Sequence, residues 1–444
     1  MKIHLIAIGG AVMHNLALAL HENGHEVTGS DDEIFEPSKS RLQAKNMLPG
    51  EEGWHINRIH SGLDAVILGM HARSNNPELI RAQELGLPIY SFPEFVWNQS
   101  VDKLRVAICG SHGKTTITSM VMHALKKANQ RFDYLVGAQL AGFQTMVQFS
   151  DAPTMIIEGD EYFASALKRE PKFLFYLSQI TLISGIAWDH FNVFPTLDNY
   201  HDQFLQLINQ KQQGEILIIN GEDPDLIQLV QNSHTTAQVI LYTAFSYTTN
   251  SHEVIIQHDN KDYPIQIFGK HNISNLAGAA TICAQLDIPV HDFLQYMSDF
   301  QGASKRLECI GRNDSRIIYR DFAHAPSKVK ATTNAIREMF PDKKITACLE
   351  LHTFSSLNKS FLPNYHHALM GVDYKIVYYN PHTLSMKQLP PIEESELKTF
   401  FGDSEIVVMT DSRELQSALA QNTSDIILLM SSGNFDNLNF DQLI

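Results

Sequence analysis

Leu104-Arg105-Val106-Ala107-Ile108-Cys109-Gly110-Ser111-His112-Gly113-Lys114-Thr115-Thr116 is the stretch on which the fold turns. The run from Leu104 to Cys109 reads as a strand, Gly110 turns it, and a helix is predicted to start at Lys114. Backbone N–H groups at such a helix N-terminus point at an anion, and the helix dipole favours negative charge there. Gly113 lets the backbone come close, Lys114 adds a point charge for outer phosphates, and Thr115 supplies a hydroxyl for Mg²⁺. Gly110, Ser111, His112, Gly113, Lys114, Thr115 and Thr116 are therefore candidates to hold a nucleoside triphosphate. The strict phosphate-loop pattern wants glycine where Ile108 stands, so this is a shortened variant, weighed against a plain glycine turn with a solvated lysine. Alone, the loop fits a transporter ATPase, a kinase, a switch GTPase or a ligase.

Downstream, the apolar strand Thr154-Met155-Ile156-Ile157 runs into Glu158-Gly159-Asp160-Glu161. Carboxylates just past a buried strand suit a hard cation bridging triphosphate oxygens, although a solvated acidic turn has the same composition. A second strand, Thr181–Ser184, leads through Gly185-Ile186-Ala187-Trp188-Asp189 to His190, a candidate metal ligand. With 21 histidines in the chain, His190 alone is as readily an ordinary loop residue.

Upstream, strand Ile3–Ile8 meets Gly9-Gly10 and a helix with Met13, Leu16, Ala17 and Leu20 at helical spacing. Strand Glu26–Gly29 ends at Ser30-Asp31-Asp32, and Ala65–Leu68 ends at Gly69-Met70-His71. This alternation predicts a parallel, Rossmann-like sheet. A dinucleotide fingerprint would need glycine at all three of Ala7, Gly9 and Val12, so NAD is not expected. Later strands are predicted at Glu215–Ile219, within Tyr242–Ile267 as antiparallel pairs, and at Ser315–Tyr319, Lys344–Leu349, Tyr374–Tyr378 and Asp425–Met430. The α/β chain thus divides into three domains, at 1–102, 103–312 and 313–444.

The 444 residues are too many for one ordinary domain, and 44% hydrophobic with 19% charged residues fits globular cores. A net charge of −15 argues against nucleic acid and acidic membrane as partners. The four cysteines form no CxxC pair, so neither a zinc nor a redox site is expected. No stretch has the length of a membrane span or the pattern of a signal peptide, and the expected location is cytoplasmic.

Gly110–Thr116, Ile156–Glu161 and Trp188-Asp189-His190 are followed by Phe268-Gly269-Lys270-His271-Asn272-Ile273-Ser274-Asn275, Ser304-Lys305-Arg306 and Asp321-Phe322-Ala323-His324-Ala325-Pro326. In this order, over nearly the whole chain, they resemble the signature of the Mur ligases. The resemblance implies a Rossmann-like UDP-binding domain, a central ATPase domain with a parallel and a small antiparallel sheet, and a C-terminal Rossmann-like domain for the incoming amine. It implies ATP and Mg²⁺, with Lys114 and the loop amides on the phosphates and Thr115, Glu158 and His190 on the metal. Asn272 and Asn275 would contact adenine, Arg306 the phosphates as the domains close, and Asp321 the ribose. Lys114, Glu158, His190 and Arg306 are then the catalytic candidates, and Gly9, Gly10, Ser30, Asp31 and His71 the UDP-sugar candidates. The strand-end positions of that last set also suit tight-turn residues. His324, His352 and Ser431 are candidate contacts for the amine; the loop at Ser431 reads equally as a glycine turn.

Two details resemble the peptide-adding branch of the family: the basic segment Leu167-Lys168-Arg169-Glu170-Pro171-Lys172-Phe173 and the Asp321-Phe322-Ala323-His324 turn. The implied reaction joins L-alanyl-γ-D-glutamyl-meso-diaminopimelate to the carboxylate of UDP-N-acetylmuramate through an acyl phosphate, in peptidoglycan recycling. The alternatives are addition of L-alanine to the same sugar nucleotide, and a nucleotide-binding sensor without ligation. Departures are Ala7 and Val12 in the first turn, Ser184-Gly185 before Trp188-Asp189-His190, Ala325, and Leu351-His352-Thr353 where the peptide-adding branch has an arginine-containing loop. No lysine occurs between His190 and Lys211 to match the carbamylated lysine of other branches. A monomer or weak homodimer is expected, and Lys114→Ala is expected to abolish turnover while leaving the fold intact.

Overall fold

The computed structural model describes residues 1–140, 142–189, 193–250, 253–302 and 306–443, so His190, Ser304 and Lys305 lie outside the described residues. The chain forms two compact units, one of Met1–Ile186, His201–Tyr242 and Thr281–Leu286, the other of Ala187–Tyr200, Thr243–Ala280 and Asp287–Ile444.

The first unit carries two sheets. Strands β1 (Lys2–Ile6), β2 (Glu26–Ser30), β3 (Ala65–Leu68) and β4 (Ile89–Ser91) lie parallel in the order β2-β1-β3-β4. β3 is buried along its whole length, which is why it reads as an uninterrupted apolar run rather than an alternating one. β1 is shorter than the expected Ile3–Ile8. Ala7 takes φ 68°, and the N–H groups of Ala7 and Ile8 both donate to Ser30 O, at 2.9 and 3.0 Å, which turns the chain out of the sheet.

The second sheet comprises β5 (Leu104–Cys109), β6 (Phe132–Leu135), β7 (Val147–Gln148), β8 (Thr154–Glu158), β9 (Ile180–Ile183), β10 (Ile216–Asn220) and β11 (Gln238–Tyr242). Their order is β11-β10-β9-β5-β8-β6-β7, parallel except for the edge strand β7. β5 sits between β8 and β9, so the three motif-bearing loops leave neighbouring strands at the same, carboxyl end. Parallel sheets place their ligand sites there. Helix Ala11–Glu22 links the two sheets: Asn15 Oδ1 accepts from Met146 N at 3.0 Å, and Asn23 Nδ2 donates to Phe149 O at 2.9 Å.

In the second unit, β12 (Ser246–Thr249), β13 (Val254–His258) and β14 (Lys261–Ile265) form the expected small antiparallel sheet. The other sheet runs β15-β16-β20-β17-β18-β19, from β15 (Glu308–Arg312), β16 (Ile317–Asp321), β17 (Ile345–Glu350), β18 (Tyr374–Tyr378), β19 (Val407–Met409) and β20 (Ile426–Met430). It is parallel except for β15, which pairs antiparallel with β16 and therefore joins this sheet before the 312/313 division expected from sequence. β20 is buried throughout and lies between β16 and β17, so the loops after all three share one edge.

Candidate functional site

The loop after β5 is shaped by two glycines. Gly110 adopts φ 123°, and a Cβ there would lie 2.8 Å from Ser184 N; Gly113 adopts φ 79° as the N-cap of helix Lys114–Lys127, which has no side-chain cap. Ser111 N donates to Gly185 O at 2.9 Å, and the Ser184 hydroxyl donates to His112 O, which fastens the loop to the turn after β9. The buried Ser111 Oγ has no hydrogen-bond partner among the described residues. An orphaned hydroxyl beside an uncapped helix N-terminus fits a phosphate oxygen.

Lys114 Nζ donates to Gly110 O and to Glu161 Oε2, each at 2.6 Å, and the Glu161 side chain is fully buried. Burial alone would lower the Lys114 pKa, but the carboxylates of Glu161, Asp160 and Glu158 hold it above the ordinary lysine value. The ammonium is thus fixed as a charge. The pairing adds a stability cost to the expected loss of turnover in Lys114→Ala, because truncation removes the ammonium that faces a buried carboxylate. Thr115 Oγ1 donates to Glu158 Oε1 at 2.9 Å, and Gly137 N donates to Glu158 Oε2 at 2.9 Å. A Cβ on Gly137 would come within 2.7 Å of Glu158 Oε1. Thr115 and Glu158 therefore meet as a hard-oxygen pair suited to Mg²⁺, whose remaining positions phosphate and water commonly fill. Among the described residues no cluster of three or more His, Cys, Asp or Glu could hold a metal by itself.

Four of the five UDP-sugar candidates come together. Gly9, Gly10, Asp31 and His71 line a cavity of about 670 Å³ with Trp54 and Arg73. Gly9 N donates to Asp31 Oδ2 at 2.7 Å. Burial first, then a hydrogen bond with Asp32, pushes the Asp31 carboxyl up to about 7. Ser30 does not join them. Its hydroxyl donates to the buried Glu78, which also accepts from His55 N at 2.7 Å and lies 3.4 Å from His4 Nε2. Burial would raise the Glu78 carboxyl, but His4, Ser30 and the His55 N–H hold it below the usual range. A second cavity of about 470 Å³ shares Gly10 and His71 with the first and reaches Glu158, Asp160 and Lys172 past Val12, Phe92 and Tyr162.

In the second unit, buried Asn272 donates Nδ2–H to Phe268 O at 3.0 Å, and Asn275 Nδ2 lies 3.5 Å from Asn272 Oδ1. The Asp321 carboxylate accepts from Leu307 N at 2.6 Å, Ala323 N at 2.7 Å and Thr332 Oγ1 at 3.2 Å, so it organises the turn after β16. Arg306 stacks 4.9 Å from the Phe322 ring centre. His324 donates Nδ1–H to Phe322 O at 2.9 Å. Burial, then Lys328, lowers its pKa to about 4 against the opposing pull of Asp189, so the ring is neutral at pH 7. Asp189, next to His190, accepts from Lys328 at 2.7 Å.

His352 and Ser431 converge on Glu350, which the sequence reading did not single out. The Ser431 hydroxyl donates to Glu350 Oε2, Phe435 N donates to the same oxygen at 2.9 Å, and His352 Nδ1 lies 3.8 Å from Oε1. Ser431 N also donates to Asp321 O at 3.0 Å, tying this cluster to the β16 turn. Glu161, Lys172 and Glu350 also meet the candidate residues, and the sequence reading gave none of them a role of its own. The first two lie inside quoted motifs, and Glu350 ends a fully buried strand with no local mark of its own.

Residues 108–283 match the Mur ligase middle domain, and residues 2–98 match the Mur ligase family, catalytic domain. The UDP-N-acetylmuramate–L-alanine ligase of Caldicellulosiruptor saccharolyticus is 30% identical over 392 residues, covering 85% of this chain and 83% of that protein. Its counterpart in Desulfitobacterium hafniense is 26% identical over 449 residues, covering 98% and 97%. Among solved structures, the murein peptide ligase of Psychrobacter arcticus has a TM-score of 0.69 at 20% identity, covering 100% of this chain and 98% of that one. The UDP-N-acetylmuramate-alanine ligase of Thermotoga maritima has a TM-score of 0.71 at 20% identity, covering 98% and 97%. At these identities the structural likeness is one of fold.

Proposed function

This chain belongs to the Mur ligase family of ATP-dependent ligases, which use Mg²⁺ and form C–N bonds, and on that premise we propose that it joins L-alanyl-γ-D-glutamyl-meso-diaminopimelate to the carboxylate of UDP-N-acetylmuramate. The supporting observation is the pair of cavities that share Gly10 and His71 and run from the Asp31 turn to Glu158. A sugar nucleotide seated on the first would extend its acid toward the triphosphate loop through the second.

The carboxylate oxygen then attacks the γ-phosphorus and ADP departs; the amine attacks the resulting acyl phosphate and phosphate departs. Lys114 contributes fixed positive charge where phosphoryl charge shifts. Mg²⁺, with Thr115, Glu158 and His190 as its proposed ligands, would neutralise triphosphate oxygens. Asn272 and Asn275 are proposed for adenine, Asp321 for ribose and Arg306 for the phosphates. His352 and Ser431, with His324 in the adjacent turn, are proposed for the amine substrate. Neutral His324 suits hydrogen bonding rather than charge pairing. No helix among the described residues is long and apolar enough to cross a membrane. The cytoplasm, where nucleotide substrates are made, is the proposed location.

A peptide is favoured by the resemblance of the basic segment at 167–173, whose Lys172 lines the second cavity, to that of the peptide-adding branch. The names of the curated relatives favour the second reading, L-alanine. Phosphate release with UDP-N-acetylmuramate and each amine separates them. Turnover with the tripeptide should exceed that with L-alanine by about tenfold or more, a gap of about 1.4 kcal/mol. The reverse ratio would establish L-alanine addition, and tight ATP binding with neither amine consumed would establish the sensor.

A further inference from the structure

The segment after β8 folds back on itself. Lys172 N donates to Tyr162 O at 2.9 Å, Phe173 N to Asp160 O at 3.3 Å, and Ala164 N to Glu170 O at 2.9 Å. Phe163 and Pro171 form a β-bridge across the same fold. Backbone pairing, not chance side-chain reach, therefore brings Lys172 back beside the start of the loop. Its Nζ lies 2.5 Å from Asp160 Oδ2 and 6.0 Å from the centre of the Tyr162 ring, and the side chain is 16% exposed. The other two basic residues of the segment are engaged elsewhere: Lys168 with Glu94, and Arg169 over the Phe163 ring at 5.3 Å.

Lys172 is the only lysine or arginine among the described residues lining the 470 Å³ cavity. Glu158 and Asp160 line the same space. A carboxylate entering it meets two negative groups and needs a countercharge to stay. An ammonium has three N–H donors, so Lys172 can keep Asp160 and still bind a second carboxylate.

We propose that Lys172 is the specificity residue that receives the lactyl carboxylate of the sugar nucleotide and holds it at the entrance to the Glu158 site. This rests on the reading of the two cavities as the sugar-nucleotide site. Lys172 sets which sugar nucleotide is accepted: one bearing an acid is held, and the same nucleotide sugar without it is not.

The test compares UDP-N-acetylmuramate with UDP-N-acetylglucosamine, which lacks the lactyl acid, by calorimetry on the full chain and on Lys172→Gln and Lys172→Arg. The wild type should prefer the acid by about tenfold or more, about 1.4 kcal/mol. Lys172→Gln should lose most of that preference by weakening the acid alone. Unchanged UDP-N-acetylglucosamine binding in the variant shows that the site still folds, and Lys172→Arg should restore the preference. Undiminished preference in Lys172→Gln overturns the role of Lys172 while leaving the cavity reading in place. Failure of the wild type to bind either nucleotide overturns the cavity reading and this proposal together.

Discussion

Lys114→Ala is expected to lose about 10²–10³ in kcat or more, and also to destabilise the first unit. The first effect follows from removing a preorganised positive charge from the position where phosphoryl charge develops. The second follows from Glu161, whose side chain is fully buried and 2.6 Å from Lys114 Nζ. Breaking a buried pair from one side costs about 3–5 kcal/mol, because the remaining buried charge loses the ammonium that offsets its desolvation. Denaturant melts separate the two effects. Lys114→Ala combined with Glu161→Gln should recover much of the lost stability and none of the activity. A double variant no more stable than the single one would show that the pair does not carry the stability assigned to it.

Glu158→Gln should retain the fold and lose most of the activity. With its amide oxygen in place of Oε2, glutamine can still accept from Gly137 N while its NH2 donates to the Thr115 hydroxyl, but the negative charge that suits a hard cation is gone. The expected loss is about 10²–10³ in kcat, as for other groups that act through charge in the transition state. It should come with a raised Mg²⁺ requirement and a melting temperature close to that of the wild type. A variant with normal turnover and an unchanged Mg²⁺ titration would remove Glu158 from the metal site.

The difference between the two glutamates shows what the sequence could and could not convey. Glu158 follows an apolar strand and can be read as a strand-end carboxylate, three residues before Glu161 in one acidic run. Their fates diverge only in three dimensions, where Glu158 meets Thr115 and Gly137 while Glu161 is sealed under Lys114. The strand–glycine–helix passage at 104–127 was legible because its signals are local: an apolar run, two glycines and a lysine. Lys172 was visible as part of a basic segment, but its place beside Asp160 depends on the backbone pairing of 160–173, which no spacing rule encodes.

Strands were missed for similar reasons. β6 contains Asp133, buried because Lys103 pairs with it at 2.6 Å, and a charged residue hides the apolar pattern. β7 has two residues, and β11 is a half-exposed edge strand without clear alternation. Ser30 was grouped with Asp31 because Ser30 ends β2 and Asp31 follows it directly. Neighbouring side chains on a strand point to opposite faces, and Ser30 faces the buried Glu78 while Asp31 faces the cavity. His352 and Ser431 were found, but the carboxylate they share, Glu350, ends β17 just before His352 and meets Ser431 only because β17 pairs with β20.

In the proposed reaction ATP phosphorylates the sugar acid before the amine attacks it. UDP-N-acetylmuramate labelled with ¹⁸O in both carboxylate oxygens tests it most directly. One labelled oxygen should appear in each phosphate released during turnover with the amine, carried over when the acyl phosphate breaks. Phosphate released with no label, at a rate matching product formation, would rule out an acyl phosphate.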